Sequence, residues 1–318
     1  MLACPVCRSV RTRVRWAGLG DRLFHTTDER FDVQRCDDCT AHFLAVMPEL
    51  QQQARYYPDD YWVAPKGRGR SAHGGLLERY RRFVLRDHVH FVRRVLRSQR
   101  ERGRTVRVLD VGCGDGSFLA ALGEPDCIGM DLSLPALRAC RARGIRALRS
   151  TLAEGALGAG AFSLVTAFHF LEHVHPAGPV LAAMRALLAP GGELVLQVPN
   201  LRCWQAKVLG RRWAGLDVPR HLVDYSDRTL LRLLEDSGFA VVARTQHSLR
   251  DNPTTLANSL VPGLYPPARI ARGGGAAGLP ALLANLGYLA VTVACTPFAA
   301  LESLCGHGAS VMVHARPR

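Results

Sequence analysis

Two carboxylates and three glycines in one short stretch offer the first chemistry of this chain. Asp110, Gly112, Gly114 and Gly116 lie in VRVLDVGCGDGSFLAAL (106–122), and Asp131 closes the run CIGMD (127–131). Glycines let a backbone turn tightly and come close to a ligand. A carboxylate about twenty residues beyond such a loop can hold both hydroxyls of a ribose. A G-x-G-x-G string is a weak signal alone, because structural turns share its composition. The preceding acid, Asp110, sharpens it: a carboxylate there repels a pyrophosphate and suits a ligand with an ammonium group. A dinucleotide loop would also place its third glycine one position later. The spacing points to a nucleoside-containing cofactor with a cationic end.

Cysteines supply the second constellation. Cys4-Pro-Val-Cys7 and Cys36-Asp-Asp-Cys39 are C-x-x-C pairs separated by 28 residues. Each pair can present two thiolates to one metal, and two pairs make a closed tetrahedral site suited to structural zinc. A redox role for Cys4 and Cys7 is disfavoured, because no βαβ pattern surrounds them. Cys113, Cys127 and Cys140 read as small core residues. Ten cysteines without an apolar leader after Met1 predict a reducing, cytoplasmic setting.

The elements that position these groups follow from patterning. Val106–Val111 and Cys127–Met130 read as buried parallel strands, and Val10–Trp16 and Arg30–Arg35 alternate as strands between the cysteine pairs. Tyr56–Trp62 is an aromatic patch and Lys66–Gly75 a glycine- and arginine-rich link. Over Leu76–Arg97, Leu77, Tyr80, Val84, His88, Phe91 and Val95 recur at helical spacing. The net charge is +14, and 66–104 alone holds thirteen basic and three acidic residues. Such a helix covers a sheet edge, or lies on a membrane or a nucleic acid. No charged residue occurs between Arg272 and Glu302. Length alone would let that run span a bilayer, but Pro280, Asn285 and Pro297 interrupt it and Ala309–His314 reads as a strand of the same sheet.

The motifs D-V-G-C-G-D-G and I-G-M-D-L resemble the class I S-adenosylmethionine-dependent methyltransferases. FSLVTAFHFLEHVHPAGPVL (162–181), LLAPGGELVLQVPN (187–200) and DVPRHLVDYSDRTLLRLLEDSGFAVV (217–242) extend the resemblance, the last toward quinone O-methyltransferases and methyltransferases of polysaccharide clusters. The resemblance implies an α/β fold: a Rossmann-like, doubly wound, mostly parallel sheet with a reversed last strand. To this the sequence adds a small amino-terminal zinc ribbon and a carboxy-terminal helical insertion. The expected units are a ribbon over 1–47, a linker and basic helix over 48–104, and a methyltransferase domain over 105–318 that includes an apolar insertion over 251–304.

By the same resemblance, Asp110, Gly112, Cys113, Gly114 and Gly116 receive the methionine part of S-adenosylmethionine, and Asp131 the ribose. Leu132 lies near the adenine, and Phe168 also binds the cofactor. Two departures stand out: Ser163 replaces an acid before the fourth strand, and 150–160 shows no acid at the position that often reads the adenine amino group. Transfer to oxygen needs a base near the working pH. His221 is the first candidate and His173 the second, with Asp217 or Arg220 orienting the base or binding an acidic acceptor. His169 lies in the same region, and Glu172 beside His173 as a supporting partner. The absence of an Asn/Asp-Pro-Pro-Tyr string weighs against base-amine methylation.

The acceptor expected is a small molecule, a glycan or a lipid-linked molecule. Two other readings stay open: an RNA methyltransferase gripping phosphates with ribbon and basic helix, and a non-enzymatic zinc-ribbon scaffold. The apolar insertion is open to three uses, as a lid, as a contact in a homodimer, or as a shallow dip into the inner membrane surface.

Overall fold

The computed structural model describes residues 3–58, 79, 82–275 and 278–318. The expected link Lys66–Gly75, Leu77, Tyr80 and the patch beyond Pro58 lie outside the described residues. Seven strands form the central sheet: β4 (Val108–Val111), β5 (Cys127–Asp131), β6 (Arg146–Arg149), β7 (Phe162–Phe168), β8 (Leu188–Pro199), β10 (Phe239–Thr245) and β11 (Ser310–Pro317). They lie in the order β10-β11-β8-β7-β4-β5-β6. β4 pairs parallel with β5 and β7, and β7 with β8, whereas β11 runs antiparallel to both neighbours. This is the α/β, mostly parallel sheet with a reversed last strand.

The central strands are buried on both faces and therefore read as unbroken apolar runs rather than alternating ones. Val108, Leu109, Leu164, Val165, Leu194 and Leu196 are almost fully buried. Chain direction reverses about β4: it proceeds outward to β5 and β6, then returns to β7 on the other side. Ligands bind at such a switch point, beyond the carboxyl ends of the strands. The helix Arg86–Glu101 covers the core with His88, Val92, Val95, Leu96 and Gln99, so its inward face is shifted from the 84/88/91/95 stripe. Phe91 is only half-buried. Several of its arginines are spent on the protein itself, Arg93 on the Leu122 carbonyl and Arg100 on Glu124.

A second sheet joins β1 (Thr12–Leu19), β2 (Phe31–Cys36), β3 (His42–Leu44) and β9 (Val223–Asp224), in that order. The ribbon is thus completed by a strand from far along the chain. His42 and Phe43 pair with Asp224 and Val223, and Cys4, Val33 and Phe43 share one core with Leu196 and Leu230. Between β10 and β11 the described residues form the α-helices Asp251–Leu260, Pro266–Ala271 and Leu279–Leu304, within the stretch the sequence marked as a helical insertion.

Candidate active site

β4 ends in a loop that only glycine could form. Gly112, Gly114 and Gly116 all have positive φ, the region closed to most side chains. The space is also taken: a Cβ on Gly112 would lie 2.8 Å from the Phe170 ring, and one on Gly116 2.7 Å from Cys140 Sγ. The backbone N–H groups of Gly112 and Cys113 both donate to the Met130 carbonyl. Asp131 then ties two elements together. One carboxylate oxygen accepts from Gly114 N–H at 3.0 Å, the other from Ser133 N–H at 2.8 Å, just before the helix Leu134–Ala142. Burial pushes the Asp131 carboxyl up. Leu132, next along, is substantially exposed, while Cys113 is buried. A Cβ on Gly129 would lie 2.5 Å from the Cys113 sulfur, a close packing that leaves no spacing to read in the sequence.

Asp110 points across the sheet. Its carboxylate accepts from Thr166 Oγ1 at 2.6 Å, and burial, opposed by that hydrogen bond and reinforced by Asp131, pushes its pKa up to about 7. Thr166 was not singled out by the sequence, because a threonine inside an apolar strand carries no local signal. Phe168 packs edge-on against Phe118 and His88 at the end of β7. Ser163 lies within β7, where its hydroxyl both accepts from and donates to the Arg107 backbone. The segment 150–160 does contain an acid: Glu154 accepts from the Ser150 hydroxyl at 2.9 Å.

Beyond β7 the chain turns through His169, a non-glycine residue at φ 52°. Its ring lies 3.2 Å from Glu172 and 3.3 Å from Asp251. Burial opposes its charge, but Asp251 and Glu172 outweigh that and lift it to about 9. Asp251, which was not singled out either, gathers His169, His88, Gln197, Ser248 and Arg250 around one carboxylate.

His173 and His221 meet on the other side. Their ring centroids are 4.7 Å apart at 77°. His173 Nδ1 contacts the Arg220 carbonyl at 3.0 Å and the Tyr57 hydroxyl at 2.9 Å, and His221 Nδ1 contacts the Gly215 carbonyl at 2.8 Å. A ring nitrogen facing a carbonyl carries the proton, so each Nε2 keeps its lone pair. Burial, then His221, depresses His173 to about 4. His221 is raised: burial opposes its charge, but Asp224, Asp217 and Glu172 prevail. Glu172 is fully buried with one oxygen lacking a partner among the described residues. Glu172, His173 and His221 each offer one atom within 4.8 Å of the others, close enough to share a proton or a cation.

Asp217 and Arg220 occupy different places from those expected. Arg220 is buried, and its guanidinium donates to both oxygens of Asp21, both of Asp217 and the Tyr56 carbonyl. All five N–H groups are engaged, which leaves none for an acidic acceptor. Asp217 holds Arg220 and makes no hydrogen bond to the His221 ring. Asp224, 3.8 Å from His221 and raised to about 6 chiefly by burial, faces that ring instead. The clamp fastens the ribbon, through Asp21, to the loop carrying His221. A cleft of about 560 Å³ opens beside it, lined by Asp21, Arg22, Arg30, Arg212, Trp213 and Asp217 among others. The indole N–H of Trp213 is buried without a partner among the described residues.

The four ribbon cysteines converge as their spacing implied. Cys4 and Cys39 sulfurs are 3.5 Å apart, as are those of Cys7 and Cys36, and all four lie within 4.8 Å. Zinc bound by four thiolates at about 2.3 Å requires sulfur separations of about 3.8 Å, so the set fits that ion. Arg8 and Thr40, each just after a pair, both adopt positive φ, giving the two knuckles one backbone turn.

A family model for a methyltransferase domain matches residues 77–244, just over half of the chain. The chain is 31% identical over 164 residues to the ubiquinone biosynthesis O-methyltransferase of Ralstonia nicotianae, covering 47% of this chain and 68% of that protein. It is 32% identical over 145 residues to the enzyme of that name from Burkholderia cenocepacia, covering 42% and 61%. The match to the Methylococcus capsulatus enzyme spans 55% of its length. Among solved structures, the cyclase SpnF superposes with a TM-score of 0.50 at 19% identity, covering 86% of this chain and 97% of that one. At that identity the likeness concerns the fold alone.

Proposed function

Since the chain belongs to the methyltransferase-domain family, we propose that it transfers a methyl group from S-adenosylmethionine to an oxygen of a small-molecule, glycan or lipid-linked acceptor. Oxygen is favoured by the names of the similar proteins, which are O-methyltransferases. The observation that carries the cofactor reading is the bond from Gly114 N–H to Asp131. It makes the glycine loop and the second acid one rigid unit at the switch point of the sheet. In this reading Asp110 and the backbone of 112–116 hold the amino-acid end. Asp131 holds the ribose, Leu132 borders the base, and Phe168 lines the cofactor site from the end of β7.

When bound, the sulfonium supplies an activated methyl, and the protein positions the acceptor and takes its proton. His221 Nε2 would take the proton of the acceptor oxygen as the methyl group is transferred. His173, neutral over the physiological range, keeps the neighbouring site free of a second charge. Asp224 stabilises the imidazolium that results. Cys4, Cys7, Cys36 and Cys39 would hold a structural zinc that keeps the ribbon, and with it Asp21, in place.

Calorimetric titration with S-adenosylmethionine and S-adenosylhomocysteine tests the cofactor site: binding of both is expected, and heat from neither on folded protein would end the reading. Tritiated-methyl labelling of lipid, glycan and RNA fractions of a host extract then identifies the acceptor. Label confined to RNA would overturn the proposed acceptor class and put RNA in its place.

A further inference from the structure

The helix Leu279–Leu304 is built inside out for a protein in water. Its 26 residues are long and apolar enough to cross a membrane, yet the side turned toward the domain carries Ala281, Thr292, Cys295, Ala299 and Glu302. The large apolar side chains face outward: Leu279, Leu282, Leu283, Leu286, Val293 and Leu301 are each more than half exposed. A surface helix normally buries its apolar stripe and exposes its polar one. Contiguous exposed apolar surface marks an interaction site. We infer that this face docks the protein onto an anionic lipid bilayer, lying in the interface rather than crossing it.

Three observations select that occupant. First, the helix is fastened along its length to the folded domain. Arg269 donates to Asn285 at 3.0 Å, Tyr288 to Asn258 at 2.8 Å, and Gln205 to the buried Glu302 at 2.8 Å through both backbone and side chain. The chain then enters β11, inside the central sheet, at Ser310. A spanning position would strip these polar contacts and draw the domain into hydrocarbon. Secondly, the exposed positions are not a narrow seam. They include neighbours such as Leu282 and Leu283 and the consecutive Thr296, Pro297 and Phe298. Helix pairing buries a two-in-seven stripe, whereas a bilayer covers the whole outward arc. Thirdly, the surroundings are cationic. No acid occurs in 204–216 or 252–301, while Lys207, Arg211, Arg212, Arg269 and Arg272 do. Arg269 bonds Asn285 on the helix, Lys207 acts on Glu302 near its end, and Trp204, three residues before Lys207, places its ring 6.2 Å from Phe298, so cations adjoin the helix. Apolar burial together with attraction to anionic headgroups is how in-plane helices bind membranes.

This inference does not depend on which acceptor is methylated. Its test is co-sedimentation of the full chain with vesicles of phosphatidylglycerol and phosphatidylcholine, and with phosphatidylcholine alone. The triple variant Leu282→Glu, Leu286→Glu, Val293→Glu changes only exposed positions; its melting temperature and S-adenosylhomocysteine affinity serve as controls for folding. The wild type is expected to pellet with the anionic vesicles more than with the neutral ones. The variant should lose about tenfold or more of that partition, given the apolar area removed. Wild-type protein that stays in the supernatant with both vesicles, or a variant that pellets equally, overturns the inference. So does self-association that the variant abolishes without any vesicle binding, which would assign the face to a second copy. Resistance of membrane-bound protein to alkaline carbonate would overturn the in-plane placement.

Discussion

His173 and His221 stand edge to face, 4.7 Å between centroids, with opposite electrostatic surroundings. His173 is depressed to about 4, while His221 is raised. A base near working pH is the more effective one, so His221→Ala should lower kcat by about 10²–10⁴-fold. It should also remove the acidic limb of the kcat/KM profile, which the raised pKa places above 6.5. His173→Ala should lower kcat less and leave that limb in place. Matching pH–rate profiles for wild type and His221→Ala would assign the proton to another group.

The loop glycines make a steric prediction. At Gly116 an added Cβ meets Cys140 Sγ at 2.7 Å and its Cα at 3.2 Å, on a backbone with φ of 72°. Gly116→Ala combines about 1–2 kcal/mol of left-handed strain with a contact only partly relieved by moving a side chain. The expected result is a melting temperature lower by several degrees and cofactor affinity reduced at least about tenfold, because the loop must shift to relax. Calorimetry with S-adenosylhomocysteine measures it. A second substitution, Gly155→Ala, meets nothing within 4 Å at a similar φ. It should retain the strain without the loss of affinity.

Arg220 joins parts of the chain that sequence cannot connect. Asp21 and Arg220 are 199 residues apart, buried, and held at 2.7 and 2.9 Å. Removing one partner from a buried pair leaves an uncompensated charge and costs about 3–5 kcal/mol. Arg220→Met should destabilise by about that amount in urea unfolding, with two carboxylates left facing each other. The double change Arg220→Met, Asp21→Asn should recover part of it. No recovery would mean that Asp21 does not share the guanidinium.

What the sequence revealed, and what it did not, follows from the range of each interaction. The glycine loop, Asp131 and both C-x-x-C pairs are local spacings on strand or knuckle ends, so their geometry is written within a few residues. The mostly parallel sheet with its reversed last strand followed from the resemblance. Thr166 against Asp110, and Asp251 between His88 and His169, are contacts across strands and helices. None leaves a spacing to read. Asp217 and Arg220 were seen as part of the site, but their tie to Asp21 needed the ribbon's position. That position in turn depends on β9 joining β3, a two-residue strand too short to give a pattern.

That pairing joins the ribbon to the loop that carries the proposed base. The ribbon sulfurs are arranged for zinc, and the sheet they organise ends on Asp224, the acid facing His221. Purified protein should hold about one equivalent of zinc, since a closed four-thiolate site takes one ion. Cys36→Ser should abolish stoichiometric zinc and lower kcat, while S-adenosylhomocysteine binding at the far loop changes little. Metal analysis and calorimetry on the same sample separate the two effects. Loss of zinc with unchanged kcat would show the ribbon to be independent of the site.

The last prediction concerns pH and stability. His169, between Asp251 and Glu172, is lifted to about 9, against 6.5 for an unfolded histidine. A raised folded-state pKa means the native state binds the extra proton between those values. Its contribution is therefore complete below about pH 6.5 and is lost as pH rises through 9. The melting temperature of the wild type should fall across that window. His169→Asn cannot titrate, so it should be less stable at pH 6.5, because Asp251 and Glu172 lose their counter-charge. It should show a shallower decline toward pH 9, and the two curves should converge. Parallel curves across the window would mean that His169 is neutral in the folded protein and that its two carboxylates are balanced by Arg250 and the neighbouring histidines instead.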